Sequence, residues 1–116
     1  MIMDKKQAVL KSKLMPDSLN SAEDIAKGSV QLLHAVGMHA RPAVKLTKLA
    51  KRFESQIAMR VAGAVDWIDP KSVTKVMAMR AARDSIIEFE ARGADAQAAV
   101  AALVRLVAQD FPDTSR

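Results

Sequence analysis

The sequence contains no cysteine and few aromatic or histidine residues, and these shortages exclude several kinds of site. Without cysteine there are no disulfides, no thiolate metal ligands and no cysteine nucleophile. With two histidines, a zinc or iron site would need several carboxylate ligands, and no spacing suggests such a set. Three Phe, one Trp and no Tyr argue against the base-stacking platforms of many single-strand nucleic-acid binders.

The sequence also has no apolar run long enough to cross a bilayer. It begins Met-Ile-Met-Asp-Lys-Lys, which lacks the apolar stretch of a secretory signal. We therefore expect a cytoplasmic protein with no membrane insertion.

What the sequence does have is a positive charge and enough apolar residues for one small core. The chain has 116 residues, of which 50% are hydrophobic, and a formal net charge of +5. A basic surface suits acidic proteins, phosphate groups or nucleic acid, and charge alone does not choose among them. A nucleic-acid-binding module is a remote alternative, because neither base-stacking aromatics nor a groove-reading element is evident.

The pattern of apolar residues divides the chain into an irregular start and a regular remainder. Residues 1–28 show no sustained period and are interpreted as a flexible extension or linker, residues 29–112 as a domain, and residues 113–116 as a tail. Within the domain, alternation predicts strands and a 3.6-residue period predicts helices. The predicted strands are 29–34, 56–62, 65–68 and 85–91, and the predicted helices begin near Pro42, Ser72 and Asp95.

This order is strand, helix, strand, strand, helix, strand, helix. Short alternating strands interrupted by helices favour an antiparallel sheet covered on one face. We therefore predict an α+β open-faced sandwich, with a four-stranded antiparallel sheet and three helices on one face.

Chemistry-bearing residues concentrate in the segment 37–43, Gly-Met-His-Ala-Arg-Pro-Ala. His39 lies just before a helix that Pro42 helps to start, and a helix start favours anions. Neutral imidazole is a nucleophile near pH 7, and the guanidinium of Arg41 matches phosphate. These parts suit reversible phosphoryl transfer. An isolated histidine near a helix start is nevertheless more often structural or simply solvated.

Three stretches resemble the HPr phosphocarriers of the sugar phosphotransferase system. GMHARPAVKL resembles the family's active-site signature, PKSVTKVMAMR its second helix, and SIIEFEARGADAQAAVAALVRLV its last strand and helix. The resemblance covers about residues 29–111, and the derived element order matches the family's β-α-β-β-α-β-α fold.

The resemblance implies that His39 is the phosphoryl acceptor, modified on Nδ1, and that Arg41 stabilises the phosphorylated state. The donor would be phospho-enzyme I and the acceptor an enzyme IIA-type domain. Such a carrier is a stoichiometric component rather than an independently turning-over enzyme, needs no cofactor or metal of its own, and is expected to be a monomer. The same chemistry in a nitrogen-related regulatory relay or a dihydroxyacetone-kinase relay is the alternative.

Further positions align with surfaces that the family uses for its partners. Lys48 and Lys51 are alternatively an ordinary solvated helix face, and Met77 alternatively a core residue. Ser72 is interpreted first as a helix N-cap, and second as the target of a regulatory serine kinase. His34 is assigned no role. The aligned partner positions are Ala40, Val44, Lys48, Lys51, Val73, Thr74 and Met77.

Three features depart from the family pattern. The stretch 64–70 is slightly long and carries the only Trp, Lys75 replaces a frequent glycine, and the turn 80–84 lacks its usual glycine.

Overall fold

The computed structural model describes residues 24–112, so most of the predicted extension and the whole predicted tail lie outside the described residues. Three strands alternate with three helices along this part of the chain. In chain order they are β1 (Ile25–Gln31), α1 (Ala40–Ala50), β2 (Gln56–Val61), α2 (Val73–Ala78), β3 (Ile86–Arg92) and α3 (Ala96–Ala108).

The strands form an antiparallel sheet in the order β1-β3-β2, with β3 in the centre. Ile87 and Phe89 of β3 are buried, while Glu88 between them is half-buried and pairs with Arg60 at 2.7 Å. Because alternate residues of a strand point to opposite faces, the apolar set faces the helices and the charged set faces solvent. The predicted α+β open-faced sandwich is confirmed in this respect.

The prediction of four strands is wrong, because residues 65–68 do not form a strand. Only Ile68 pairs with β2, through two hydrogen bonds of 2.9 Å with Met59. Val65 is 87% exposed and Ile68 is the one residue of this stretch that packs against the core, so the stretch has no continuous buried face to hold it against the sheet. Pro70, two residues further on, has no N–H with which to extend the pairing. The described part of the chain therefore has a three-stranded sheet and one isolated bridge.

The predicted bounds of the first strand, 29–34, are also wrong, because β1 runs from Ile25 to Gln31. Residues 25–28 therefore belong to the sheet and not to the predicted extension. The pattern does not predict these residues as part of the strand because Gly28 interrupts the apolar alternation. A Cβ atom at Gly28 would lie 2.8 Å from Cγ1 of Val100, so the missing side chain lets α3 pack closely on β1.

The two longer helices bury the faces that the sequence predicts. Leu46 of α1 and Leu103 of α3 are fully buried in one core with Phe89. Burial of such a side chain contributes about 1.5–3 kcal/mol. Thr47, also buried, donates its hydroxyl to the carbonyl oxygen of Pro70 at 2.8 Å. This bond joins α1 to the segment before α2, and so fixes the position of α2 relative to α1.

Candidate active site around His39

His39 occupies the N-cap position of α1, with extended backbone angles (φ −113°, ψ −163°). Its carbonyl oxygen accepts the N–H of Ala43 at 2.9 Å, while its side chain makes no capping bond. Pro42, in the first turn, has no N–H to satisfy. The N–H groups of Ala40 and Arg41 have no intrahelical acceptor. The exposed imidazole therefore stands beside amide donors that favour an anion.

The backbone before His39 is fixed to the turn that precedes β3. Gly37 adopts φ +75°, and the N–H of Met38 donates to the carbonyl oxygen of Ala81 at 2.9 Å. Met38 and Pro42, on either side of the histidine, are both buried. An exposed side chain is thus held by buried neighbours, an arrangement that orients a reactive group without covering it.

The structure brings His34 and Asp110 to His39. The Nε2 atoms of His34 and His39 lie 3.0 Å apart, and their ring centroids are separated by 5.0 Å. The Nδ1 atom of His34 lies 3.0 Å from Oδ1 of Asp110. Neither His34 nor Asp110 has a role in the site predicted from the sequence. The only signal was the five-residue spacing of the histidines, since Asp110 lies 76 residues from His34.

The segment after α3 holds Asp110 in place. Asp110 and Phe111 both have left-handed backbone angles, with φ values of +60° and +53°. The N–H of Phe111 donates to the carbonyl oxygen of Leu106 at 2.9 Å, and Lys45 of α1 donates to the carbonyl oxygen of Phe111 at 3.0 Å. The ring of Phe111 meets the ring of His34 edge-on, with centroids 6.0 Å apart. The end of α3 is thereby tied to the start of α1.

Arg41 lies exposed in the first turn of α1, two residues after His39. Within residues 24–112 its guanidinium makes no hydrogen bond or ion pair. The predicted pair is thus close in the chain but is not joined by a hydrogen bond.

Most of the predicted partner positions lie on the exposed faces of α1 and α2. Ala40, Val44 and Lys48 recur every four residues along α1, and all three are exposed, as is Lys51 after the helix. On α2, Thr74 is exposed and Val73 half-buried; Met77 is 40% exposed, so the core interpretation of Met77 is wrong.

Ser72 is the N-cap of α2, as predicted. Its hydroxyl oxygen accepts the N–H of Lys75 at 3.3 Å. In the preceding turn, the side chain of Asp69 accepts the N–H of Lys71 at 2.8 Å.

Among residues 24–112, no three His, Asp or Glu side chains are grouped closely enough to hold a metal ion. No helix within the same residues has both the length and the apolar character needed to span a membrane.

Comparison with known proteins identifies the family. The family model described as "PTS HPr component phosphorylation site" matches residues 26–109. Phosphocarrier protein HPr of Cupriavidus necator is 39% identical over 80 residues, which are 69% of this chain and 88% of that protein. Phosphocarrier protein NPr of Escherichia coli K12 is 31% identical over 87 residues, 75% of this chain and 96% of that protein.

A solved structure of an HPr protein supports the same family assignment. HPr-C-His of Thermoanaerobacter tengcongensis superimposes with a TM-score of 0.69 at 27% identity, over 74% of this chain and 94% of that one. The chain belongs to the HPr family, the histidine phosphocarriers of the phosphotransferase system.

Proposed function

We propose that His39 accepts a phosphoryl group on Nδ1 from phospho-enzyme I and passes it to an enzyme IIA-type domain. The observation that carries the proposal is the position of His39, exposed at the start of α1 between the buried residues Met38 and Pro42. The ring faces His34 through Nε2, so Nδ1 is the nitrogen left for the phosphoryl group.

The surroundings of His39 suit a group that arrives and leaves with negative charge. The start of α1 carries the positive end of the helix dipole, and its first amides point towards the N-cap. Arg41 adds a permanent positive charge two residues away. Its exposed guanidinium is able to turn towards a phosphoryl group on the imidazole. Stabilisation by oriented donors and charge is the main protein contribution to phosphoryl transfer.

The exposed faces of α1 and α2 are the proposed docking surface for both partners. Val44 and Met77 supply exposed apolar contacts, and Lys48 and Lys51 supply positive charge. A small apolar centre with a charged rim is typical of transient protein interfaces. One surface used by two partners in turn fits a monomeric carrier in the cytoplasm, and such charges speed encounter with acidic partners.

The decisive experiment is mass spectrometry after incubation with enzyme I, phosphoenolpyruvate and magnesium. We expect an acid-labile phosphoryl adduct on the wild type, and none on His39→Ala with an unchanged circular dichroism spectrum. Enzyme I from the same source is used, and its activity is verified on a known carrier. An adduct that persists in His39→Ala, or is absent from the wild type, would refute the proposal.

The branch of the system that this carrier serves is found by its acceptors. Phosphorylated protein is offered in turn to IIA domains of sugar, nitrogen-related and dihydroxyacetone-kinase systems. We expect the fastest loss of the adduct with a sugar-type IIA domain. Faster transfer to either of the others would assign the carrier to that relay instead.

A further inference from the structure

We infer that His34, oriented by Asp110, is a positioning residue that holds the imidazole of His39 with its proton on Nε2 and its lone pair on Nδ1. The inference rests on the proposed phosphoryl transfer and adds how the accepting ring is oriented. The three side chains form a line: Asp110 Oδ1 to His34 Nδ1 at 3.0 Å, and His34 Nε2 to His39 Nε2 at 3.0 Å.

The direction of each hydrogen bond follows from the carboxylate of Asp110, because an ionised carboxylate has only one possible role in a hydrogen bond. An ionised carboxylate only accepts, so His34 donates from Nδ1 to Asp110. A neutral imidazole has one donor and one acceptor nitrogen, so Nε2 of His34 accepts. His39 must therefore donate from Nε2, which leaves the Nδ1 lone pair for phosphorus. The logic is that of a carboxylate orienting a catalytic histidine, with one more ring in the line.

The placement of Asp110 is unfavourable for stability, which argues for a role at the site. It lies just after the C-terminal end of α3, where the helix dipole disfavours negative charge. Its left-handed φ of +60° belongs to an ordinary helix C-cap, in which the N–H groups of Asp110 and Phe111 donate to the carbonyl oxygens of Val107 and Leu106. Phe111, however, also has a left-handed φ of +53°, which is unfavourable for a bulky side chain. Unfavourable backbone angles that the surroundings enforce cluster at functional sites. Here Lys45 holds the carbonyl of Phe111, and the Phe111 ring packs against His34.

The arrangement also suits the ring after phosphorylation. The Nδ1 lone pair forms the new N–P bond as the bond between phosphorus and the donor atom breaks, and that electron pair leaves with the donor. No proton moves at Nε2, so the phosphorylated ring carries a positive charge next to its dianionic phosphoryl group. The acceptor nitrogen of His34, backed by the carboxylate of Asp110, faces the remaining N–H of this ring. Transfer onwards breaks the N–P bond and returns the electron pair to Nδ1.

Two substitutions of His34 by residues of similar size show whether His34 orients the ring of His39 or only anchors the end of α3. The Oε1 of glutamine stands where Nε2 of histidine stands, whereas an asparagine side chain reaches only as far as Nδ1. His34→Gln keeps an acceptor for His39, and His34→Asn keeps a partner for Asp110 but does not reach His39. We expect His34→Asn and His34→Ala to slow phosphorylation by enzyme I about tenfold, and His34→Gln to stay within about threefold of wild type.

If His34 merely anchors the end of α3, the order reverses, with asparagine tolerated and glutamine harmful. That result, or equal loss in both variants, would overturn the inference. Thermal unfolding of each variant shows that the compared proteins are folded.

The second measurement is ¹⁵N NMR of the imidazole rings in the unphosphorylated protein, at a pH where both rings are neutral. We expect the His39 proton on Nε2 and a scalar coupling across the hydrogen bond between the two Nε2 atoms. The coupling should vanish in His34→Ala, where His39 becomes a mixture of tautomers. A His39 proton on Nδ1, or no coupling in the wild type, would contradict the assignment.

The two proposals fail in different ways. If the wild type accepts no phosphoryl group from an active enzyme I, the proposed function fails, while the NMR measurement still decides the orientation of the ring. If the wild type is phosphorylated on His39 but the asparagine variant reacts equally fast, only the role of His34 is refuted.

Discussion

A Cβ atom on Gly37 would lie 2.5 Å from the carbonyl oxygen of Ala81, so no other residue fits there without moving the backbone. The same carbonyl accepts the N–H of Met38 at 2.9 Å, and Met38 directly precedes His39. The contact between Gly37 and Ala81 therefore controls where the histidine stands relative to the start of α1.

The first prediction is that Gly37→Ala destabilises the protein and slows phosphorylation. Alanine at φ +75° is strained, and its methyl group also overlaps the carbonyl, so we expect a loss of about 2 kcal/mol in the free energy of unfolding. Gly63→Ala is the matched control, because Gly63 has φ +92° but nothing within 4 Å of an added Cβ. Urea unfolding should show a loss of about 1 kcal/mol there, with an unchanged phosphorylation rate. If Gly37→Ala and Gly63→Ala lose the same free energy of unfolding and are phosphorylated at the same rate, the overlap with Ala81 contributes neither to stability nor to the position of His39.

The second prediction concerns Arg80, which follows the C-cap of α2 in a left-handed conformation with φ +52°. This is the position where helices most often have glycine, and the turn 80–84 contains none. Arg80→Gly removes the backbone strain and should raise the free energy of unfolding by about 1 kcal/mol.

Arg83→Gly is the control, because Arg83 is exposed in the same turn and has no positive φ. There glycine only adds freedom to the unfolded chain, so we expect a loss of about 0.5–1 kcal/mol. Chemical denaturation of both variants beside the wild type measures the two effects. A loss in both would show that the Arg80 side chain stabilises the turn by more than its backbone strain.

The candidate site divides into a part that is local in the sequence and a part that is not. His39, the start of α1 and Arg41 lie within three consecutive residues, so their chemistry is readable without a structure. The pair of His34 and Asp110 joins the two ends of the domain. Its geometry depends on left-handed backbone angles at Asp110 and Phe111. Such angles are predictable from the sequence where glycine is present, but not at these two residues.

The elements of the fold also divide into those that the sequence predicts and those that it does not. α1 and α3 were predictable because a buried stripe at Leu46 or Leu103 imposes a 3.6-residue period over three turns or more. The stretch 65–68 has β-branched and aromatic residues, but only Ile68 packs against the core, and a proline lies two residues beyond it. Strand propensity at four residues does not outweigh the absence of packing, and only the bridge at Ile68 remains.

The third prediction is a pH dependence of stability at Asp95, which precedes α3. The hydroxyl of Ser55 and the backbone N–H of Glu54 donate to its carboxylate, and these bonds hold the pKa of Asp95 below its ordinary value. A lowered pKa in the folded state means that the carboxylate stabilises the fold above the unfolded pKa. This stabilisation is lost as the pH falls through the folded pKa.

Asp95→Asn should therefore be less stable than wild type near pH 7, and the difference should shrink below about pH 4. Urea unfolding at pH 7, 5 and 3 measures it. Asp66→Asn, in an exposed loop, controls for the change in net charge. A difference for Asp95→Asn that is the same at all three pH values would show that the lost bonds matter but the charge does not.

The last prediction tests whether the positive charge of α1 serves docking. Lys48 is exposed one helical turn beyond Val44, on the face that begins at Ala40 beside His39. Lys48→Glu should raise the KM of enzyme I for this carrier several-fold and weaken its dependence on salt, because rim charges act mainly on encounter. The control is Arg92→Glu, which makes the same change of charge at the far end of the sheet, where β3 pairs with the first residue of β1. If both variants raise KM alike, the net charge of the carrier matters and the face of α1 does not; if Lys48→Glu alone does so with kcat unchanged, the lysine belongs to the docking surface.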